Sequence, residues 1–164
     1  MPIETIMPDD EILTDAGFYW RERHGVKVLV SRGLEEAGFA NGFSTRLGGV
    51  SSIRSVVPAT MDACVVDGDL NLAGFDEDPA ENIFENRRRF LTLFAGNYEL
   101  TSVWQVHCDD VKTVASTADA ERTEDRADAI VSDLPGILAG VKTADCVPIL
   151  LGDPKNRAYA AVHS

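Results

Sequence analysis

Asp128-Ala-Ile-Val-Ser-Asp-Leu-Pro-Gly-Ile-Leu-Ala-Gly-Val-Lys-Thr-Ala-Asp-Cys-Val-Pro-Ile-Leu-Leu151 decides the fold class. Its apolar runs at 129–131, 137–141 and 147–151 are only a few residues long and are separated by Asp, Pro and Gly, the pattern of strands joined by turns. Ala158-Tyr-Ala-Ala-Val-His163 adds another strand downstream. Upstream, Thr101–Val106 and Val111–Val114 are strand-like, with turn-forming His107-Cys-Asp-Asp110 between them. Val26-Lys-Val-Leu-Val30 is a further strand, and Gly38–Ser44 runs as one into the turn Leu47-Gly-Gly-Val-Ser-Ser52. Many short strands with few helices predict an α+β domain.

The one well-marked helix spans Pro79 to about Ala95. Asp78 is placed as N-cap, Pro79 suits the first helical position, Glu81 completes a capping-box spacing and Gly96 stops the run. Ile83, Phe84, Phe90, Leu91 and Phe94 form its predicted apolar face, which should pack on a sheet, and Arg87-Arg-Arg89 reads as its solvated side. Residues 1–20 read as a lead-in to a single domain over 21–164, Ser116–Arg126 as a solvated loop, and Ile53–Asp69 shows no period.

With 164 residues, 45% of them hydrophobic and 26% charged, the chain suffices for one domain with a sizeable core. A net charge of −12 argues against nucleic acid and anionic membranes as partners. The acidic start lacks the features of a secretory signal and no run reaches membrane-spanning length, so a cytoplasmic location is expected. Cys64, Cys108 and Cys146 form no even framework, and no structural disulfide is predicted.

His107, Cys146 and His163 each close or open a strand-like run. Two imidazoles and a thiolate make a three-ligand sphere with a fourth tetrahedral position open, the pattern of catalytic rather than structural zinc. The gaps of 39 and 17 residues exceed those of a finger or ribbon, so only tertiary structure can join them. The plain alternatives are hydrogen-bonded histidines and a cysteine buried as a small apolar residue. Cys64 and Cys108 are read as structural or incidental.

Five blocks together resemble the laccase-domain family, also called the polyphenol oxidase or peptidoglycan editing factor family. They are Gly42-Phe-Ser-Thr-Arg-Leu-Gly-Gly-Val-Ser51, Leu70-Asn-Leu72 with Glu85-Asn-Arg87, Trp104-Gln-Val-His107, Asp128–Leu151 with Thr143-Ala-Asp-Cys-Val-Pro148, and Ala161-Val-His163. The resemblance implies a mixed β-sheet sandwich flanked by helices and metal ligation by His107, Cys146 and His163. It points to Arg46 as a substrate or phosphate contact, helped by backbone N–H groups of the glycine pair, and to Asn86 and Arg87 as packing and site support. The amides of Asn71 and Gln105 suit a purine edge or ribose hydroxyl. Asp145 has two readings, a direct catalytic group or a carboxylate that orients a ligand histidine.

Family members continue past the last histidine into a Gly-Trp-Arg-Gly block, so the chain is expected to be truncated at its C-terminus. Their link before the Asn-Leu block is also shorter than residues 52–69 here. The activity implied is that of a zinc-dependent purine nucleoside enzyme, acting by phosphorolysis of adenosine, inosine or guanosine with phosphate, and by adenosine deamination. A cysteine or metal amidohydrolase editing peptidoglycan precursors, with Cys146 as nucleophile, is the first alternative. A non-catalytic metal-binding module is another. A copper polyphenol oxidase is disfavoured, because three histidines cannot supply a multicopper cluster.

Overall fold

The computed structural model describes residues 9–54, 65–73 and 78–164. In chain order its elements are α1 (Asp10–Asp15), β1 (Phe18–Arg23), β2 (Val26–Ser31), α2 (Arg32–Glu36), β3 (Phe43–Ser44), β4 (Ser51–Arg54), β5 (Val65–Asp69), α3 (Ala80–Leu91), β6 (Glu99–Thr101), β7 (Val111–Val114), α4 (Thr117–Glu121), β8 (Ala129–Ser132), β9 (Ile137–Ala139), β10 (Pro148–Asp153) and β11 (Ala158–His163). Several sheets and few helices make this an α+β fold, as the short strands predict. No helix among the described residues is long and apolar enough to cross a membrane.

β2 is the spine of the N-terminal half. Val26, Val28 and Val30 alternate along it and are fully buried, so one face of the strand carries the core. β1 pairs with it antiparallel along its whole length. His24 and Gly25, both at positive φ, make the two-residue turn whose twist matches a hairpin. Against Val26, Val28 and Val30 pack Leu70 and, from α3 and the turn after it, Phe90, Leu93 and Phe94.

The C-terminal half is a four-stranded sheet in the order β10-β11-β8-β7, antiparallel except for the parallel β7–β8 pair. A short parallel pair, β6 and β9, lies beside it. Val103, Val114, Ala120, Ala127, Ile130 and Ile137 form the second core cluster. The site depends on this sheet, because Asp128 and His163 stand where β8 begins and β11 ends.

Several local expectations need correction. The presumed lead-in contains α1, capped by Asp9, and the first half of β1, which lacks a clean alternation and is held by backbone pairing to β2. The strand expected over 38–44 shrinks to β3. Asn41 takes the pairing role there: its Oδ1 accepts from Ser31 N at 2.8 Å and its Nδ2 donates to Ser31 O at 3.1 Å. The strand expected over 101–106 ends at Thr101, leaving a single bridge between Trp104 and Arg126. Ser116–Arg126 is not all loop, since Ser116 caps α4 and Ala120 is buried. The span 53–69 contributes to the β4–β5 hairpin, and its residues 55–64 lie outside the described residues.

In α3 the buried stripe is Ile83, Asn86 and Phe90, while Phe84 is 61% exposed. A step of 100° per residue carries position 84 off the stripe and puts the Asn86 amide on it. Pro79 rather than Asp78 occupies the N-cap, with no side-chain cap. Asp78 instead accepts from Ser51 Oγ, from Asn71 Nδ2 at 3.2 Å and from Asn82 Nδ2 at 2.8 Å.

Candidate metal centre

His107 lies in the bend that follows the Trp104 bridge, with φ 58. A non-glycine residue in this left-handed region costs about 1–3 kcal/mol and needs compensation from its surroundings. That compensation is visible: the N–H groups on either side, of Val106 and Cys108, both donate to Asp128 Oδ2, at 3.0 and 2.9 Å. His163 ends β11 opposite Pro148. Its backbone N–H donates to Asp128 O at 2.8 Å, and its Nδ1 lies 2.7 Å from Asp128 Oδ1. Cys146 sits in the loop before β10. Paired backbone bonds between Val147 and Ser164 hold that loop to the end of β11.

The ligand atoms of His107, Cys146 and His163 all lie within 4.8 Å of one another. The two imidazoles meet edge-on, with ring centroids 4.9 Å apart. A tetrahedral zinc with Zn–N and Zn–S bonds of about 2.0–2.3 Å separates its donors by roughly 3.3–3.8 Å, so closure requires movement on the order of an ångström. The donor set fits zinc or another borderline metal. His107 is exposed while His163 and Cys146 are partly buried, so the centre opens to solvent on the His107 side.

Burial pushes the Asp128 carboxyl up, but hydrogen bonds from Cys108 N, His163 and Val106 N more than offset this and hold it well below the usual carboxylate range. Asp128 is thus an anion against the His163 ring. The orienting carboxylate on His163 is therefore Asp128 and not Asp145, which is exposed.

The other predicted residues are placed as follows. Arg46 forms a two-pronged ion pair with buried Asp69, at 3.1 and 2.6 Å, and its side chain stays 66% exposed. The expectation that the glycine-pair N–H groups face an anion fails at Gly49, whose N–H donates to Gly68 O. Gln105 closes on the backbone of Lys142 with both ends of its amide. Asn71 is tied to Asp78 and to Ala73 N. Arg87, half-buried rather than solvated, donates from Nε to Leu72 O at 2.8 Å. Asn71 and Arg87 border a cleft of about 780 Å³, which also reaches Thr143 and Pro148 on either side of the Cys146 loop. Cys108 and Cys146 are free thiols, and Cys64 lies outside the described residues.

Sequence reasoning missed Asp128 and Asp78 as organising groups, while the supporting role of Asn86 came from the resemblance. A carboxylate immediately before the apolar run of β8, within one of the blocks shared with the family, was the available signal for Asp128.

The family model described as multi-copper polyphenol oxidoreductase laccase matches residues 40–164. The chain belongs to this family. Among relatives of the laccase-type family, the purine nucleoside phosphorylase YfiH of Escherichia coli is 34% identical over 140 residues, covering 84% of this chain and 51% of the relative. The purine nucleoside phosphorylase SCO2081 of Streptomyces coelicolor is 36% identical over 125 residues, covering 75% and 46%. The chain thus spans about half the length of the curated relatives it matches. The fold is similar to that of YlmD from Geobacillus stearothermophilus, with a TM-score of 0.67, 23% identity and coverage of 90% of this chain and 52% of that one. It is also similar to Neisseria meningitidis NMB0706, with a TM-score of 0.56, 25% identity and coverage of 90% and 50%.

Proposed function

We propose that this chain carries the metal centre of a zinc-dependent purine nucleoside phosphorylase, with His107, Cys146 and His163 as ligands. The convergence of the three donor atoms within 4.8 Å, open on one side, carries this reading. The names of the relatives support it at the level of the reaction. A bound zinc ion supplies Lewis acidity and makes water a stronger acid at neutral pH.

The chain's own residues do the rest. Asp128 holds the His163 ring by Nδ1, so Nε2 is the nitrogen that would bind a metal. Phosphorolysis needs phosphate held beside the anomeric carbon and a proton for the departing purine. The exposed guanidinium of Arg46, fixed by Asp69, presents a positioned cation for phosphate. Asn71 borders the cleft and Gln105 joins the Cys146 loop, and since both ends of each amide are engaged, each serves the site through the segments it ties. Asp145, exposed beside Cys146, remains the choice for proton transfer. Adenosine deamination is the second activity proposed for the same centre.

The test is turnover of inosine and adenosine with and without phosphate, on zinc-loaded protein. Ribose 1-phosphate formed only with phosphate supports phosphorolysis. Amide cleavage by metal-free protein contradicts it and promotes Cys146 as a free nucleophile, the amidohydrolase alternative.

A further inference from the structure

The two histidines of the metal centre come from segments far apart in sequence, and one carboxylate touches one of them and the peptide groups on either side of the other. Asp128 Oδ1 meets the His163 ring at Nδ1, 2.7 Å away. Asp128 Oδ2 accepts from Val106 N and Cys108 N, the peptide groups that bracket His107. The Asp128 backbone adds two bonds, donating from N to Asp110 O at 3.1 Å and accepting from His163 N at 2.8 Å. The Asp128 side chain is almost wholly buried, so water does not compete for these contacts.

We infer that Asp128 is the positioning residue of this centre, a single buried carboxylate that sets the tautomer of His163 and the turn of His107 together. The inference deepens the proposed function and, where zinc is concerned, rests on it. An ionised carboxylate only accepts hydrogen bonds, so a neutral ring facing it carries its proton on Nδ1. Nε2 is then the lone-pair donor, which is the form a metal requires. At Oδ2, two converging N–H groups hold the left-handed turn in the manner of an anion nest. Loss of the carboxylate alone would therefore disturb both histidines.

Asp128→Asn separates this role from simple turn support. The asparagine oxygen still accepts from Val106 and Cys108, but its amide then faces His163 with a donor. The ring must answer with a bare Nδ1 and a proton on Nε2, the position that has to stay open. Ring-nitrogen NMR of the metal-free protein, followed across pH to the plateau at which the ring is neutral, reads the tautomer directly. Zinc affinity, by competition with a chromophoric chelator, reads the consequence.

The expected result is Nδ1–H on His163 in the wild type, Nε2–H in Asp128→Asn, and zinc affinity reduced on the order of 10–100-fold. Nε2–H in the wild type would overturn the inference, and that measurement does not depend on whether the variant folds. So would a folded Asp128→Asn with unchanged tautomer and unchanged affinity. Should the wild type bind no zinc, the proposed function fails while the tautomer still decides the role of Asp128.

Discussion

Gln105 faces Lys142 as a paired strand residue would. Its Nε2 donates to Lys142 O and its Oε1 accepts from Lys142 N, both at 2.7 Å. Gln105 lies two residues before His107 and Lys142 four before Cys146, so this amide joins the two ligand-bearing loops. Gln105→Ala is expected to weaken zinc binding about tenfold, the lower end for groups that orient ligands, because the contact is exposed to water. Chelator competition checks this, and unchanged affinity would show that the loop holds itself.

Asn86 is fully buried in α3, where its Oδ1 accepts from Val50 N at 2.8 Å and its Nδ2 donates to Ser51 Oγ and Asn71 O at 2.7 and 2.9 Å. Asn86→Ala strands several of these partners and should cost about 2–4 kcal/mol in urea unfolding, one or two unsatisfied groups' worth. Phe84→Ser, on the exposed side, should cost less than Asn86→Ala. Equal effects would contradict the placement of α3.

Gly49 lies so close to β5 that a Cβ there would sit 1.9 Å from Asp69 O. Gly49→Ala must push apart the loop carrying Arg46 and the strand end carrying Asp69. A loss of about 3 kcal/mol, the upper end of overpacking costs, is expected in chemical denaturation. Wild-type stability in this variant would mean that the two segments are not in contact.

Stability should be lost on the acid side. Glu85 is lowered from 4.5 to about 2, first by its hydrogen bond to Arg88 and then by that to Arg89. At Asp78 burial raises the value, but the hydrogen bonds from Ser51, Asn82 and Asn71 win and lower it. A carboxylate with a depressed folded-state value stabilises fully above its unfolded value, and this contribution fades as pH falls towards the folded one. For Glu85 the window runs from 4.5 down to about 2. Melting temperature against pH should show this slope, shallower in Glu85→Gln. An identical slope in the variant would remove Glu85 from the account.

Much of this molecule was legible in the sequence, and the exceptions share a physical cause. β2, β7, β8 and β11 follow their apolar runs because burial of one face sets their register. β1 and the strand expected over 38–44 did not follow, since backbone pairing holds Phe18–Arg23 and the Asn41 side chain imitates a strand. The donor types at 107, 146 and 163 suggested a metal, and the resemblance selected the same three. Asp128 stayed hidden because its role exists only once β8 lies beside β11, which no local pattern encodes. The apolar count that put Phe84 on the buried face failed because the helix buries the Asn86 amide to satisfy the Val50–Ser51 backbone and hydroxyl.

The most direct test is metal content on purified protein, beside His107→Ala, Cys146→Ala and His163→Ala. One zinc per chain in the wild type, lost in each variant while thermal unfolding of the metal-free forms is retained, is the expected result. Zinc retained by all three variants, or a wild type that takes up none from a zinc-supplemented buffer, would contradict a centre built on these residues.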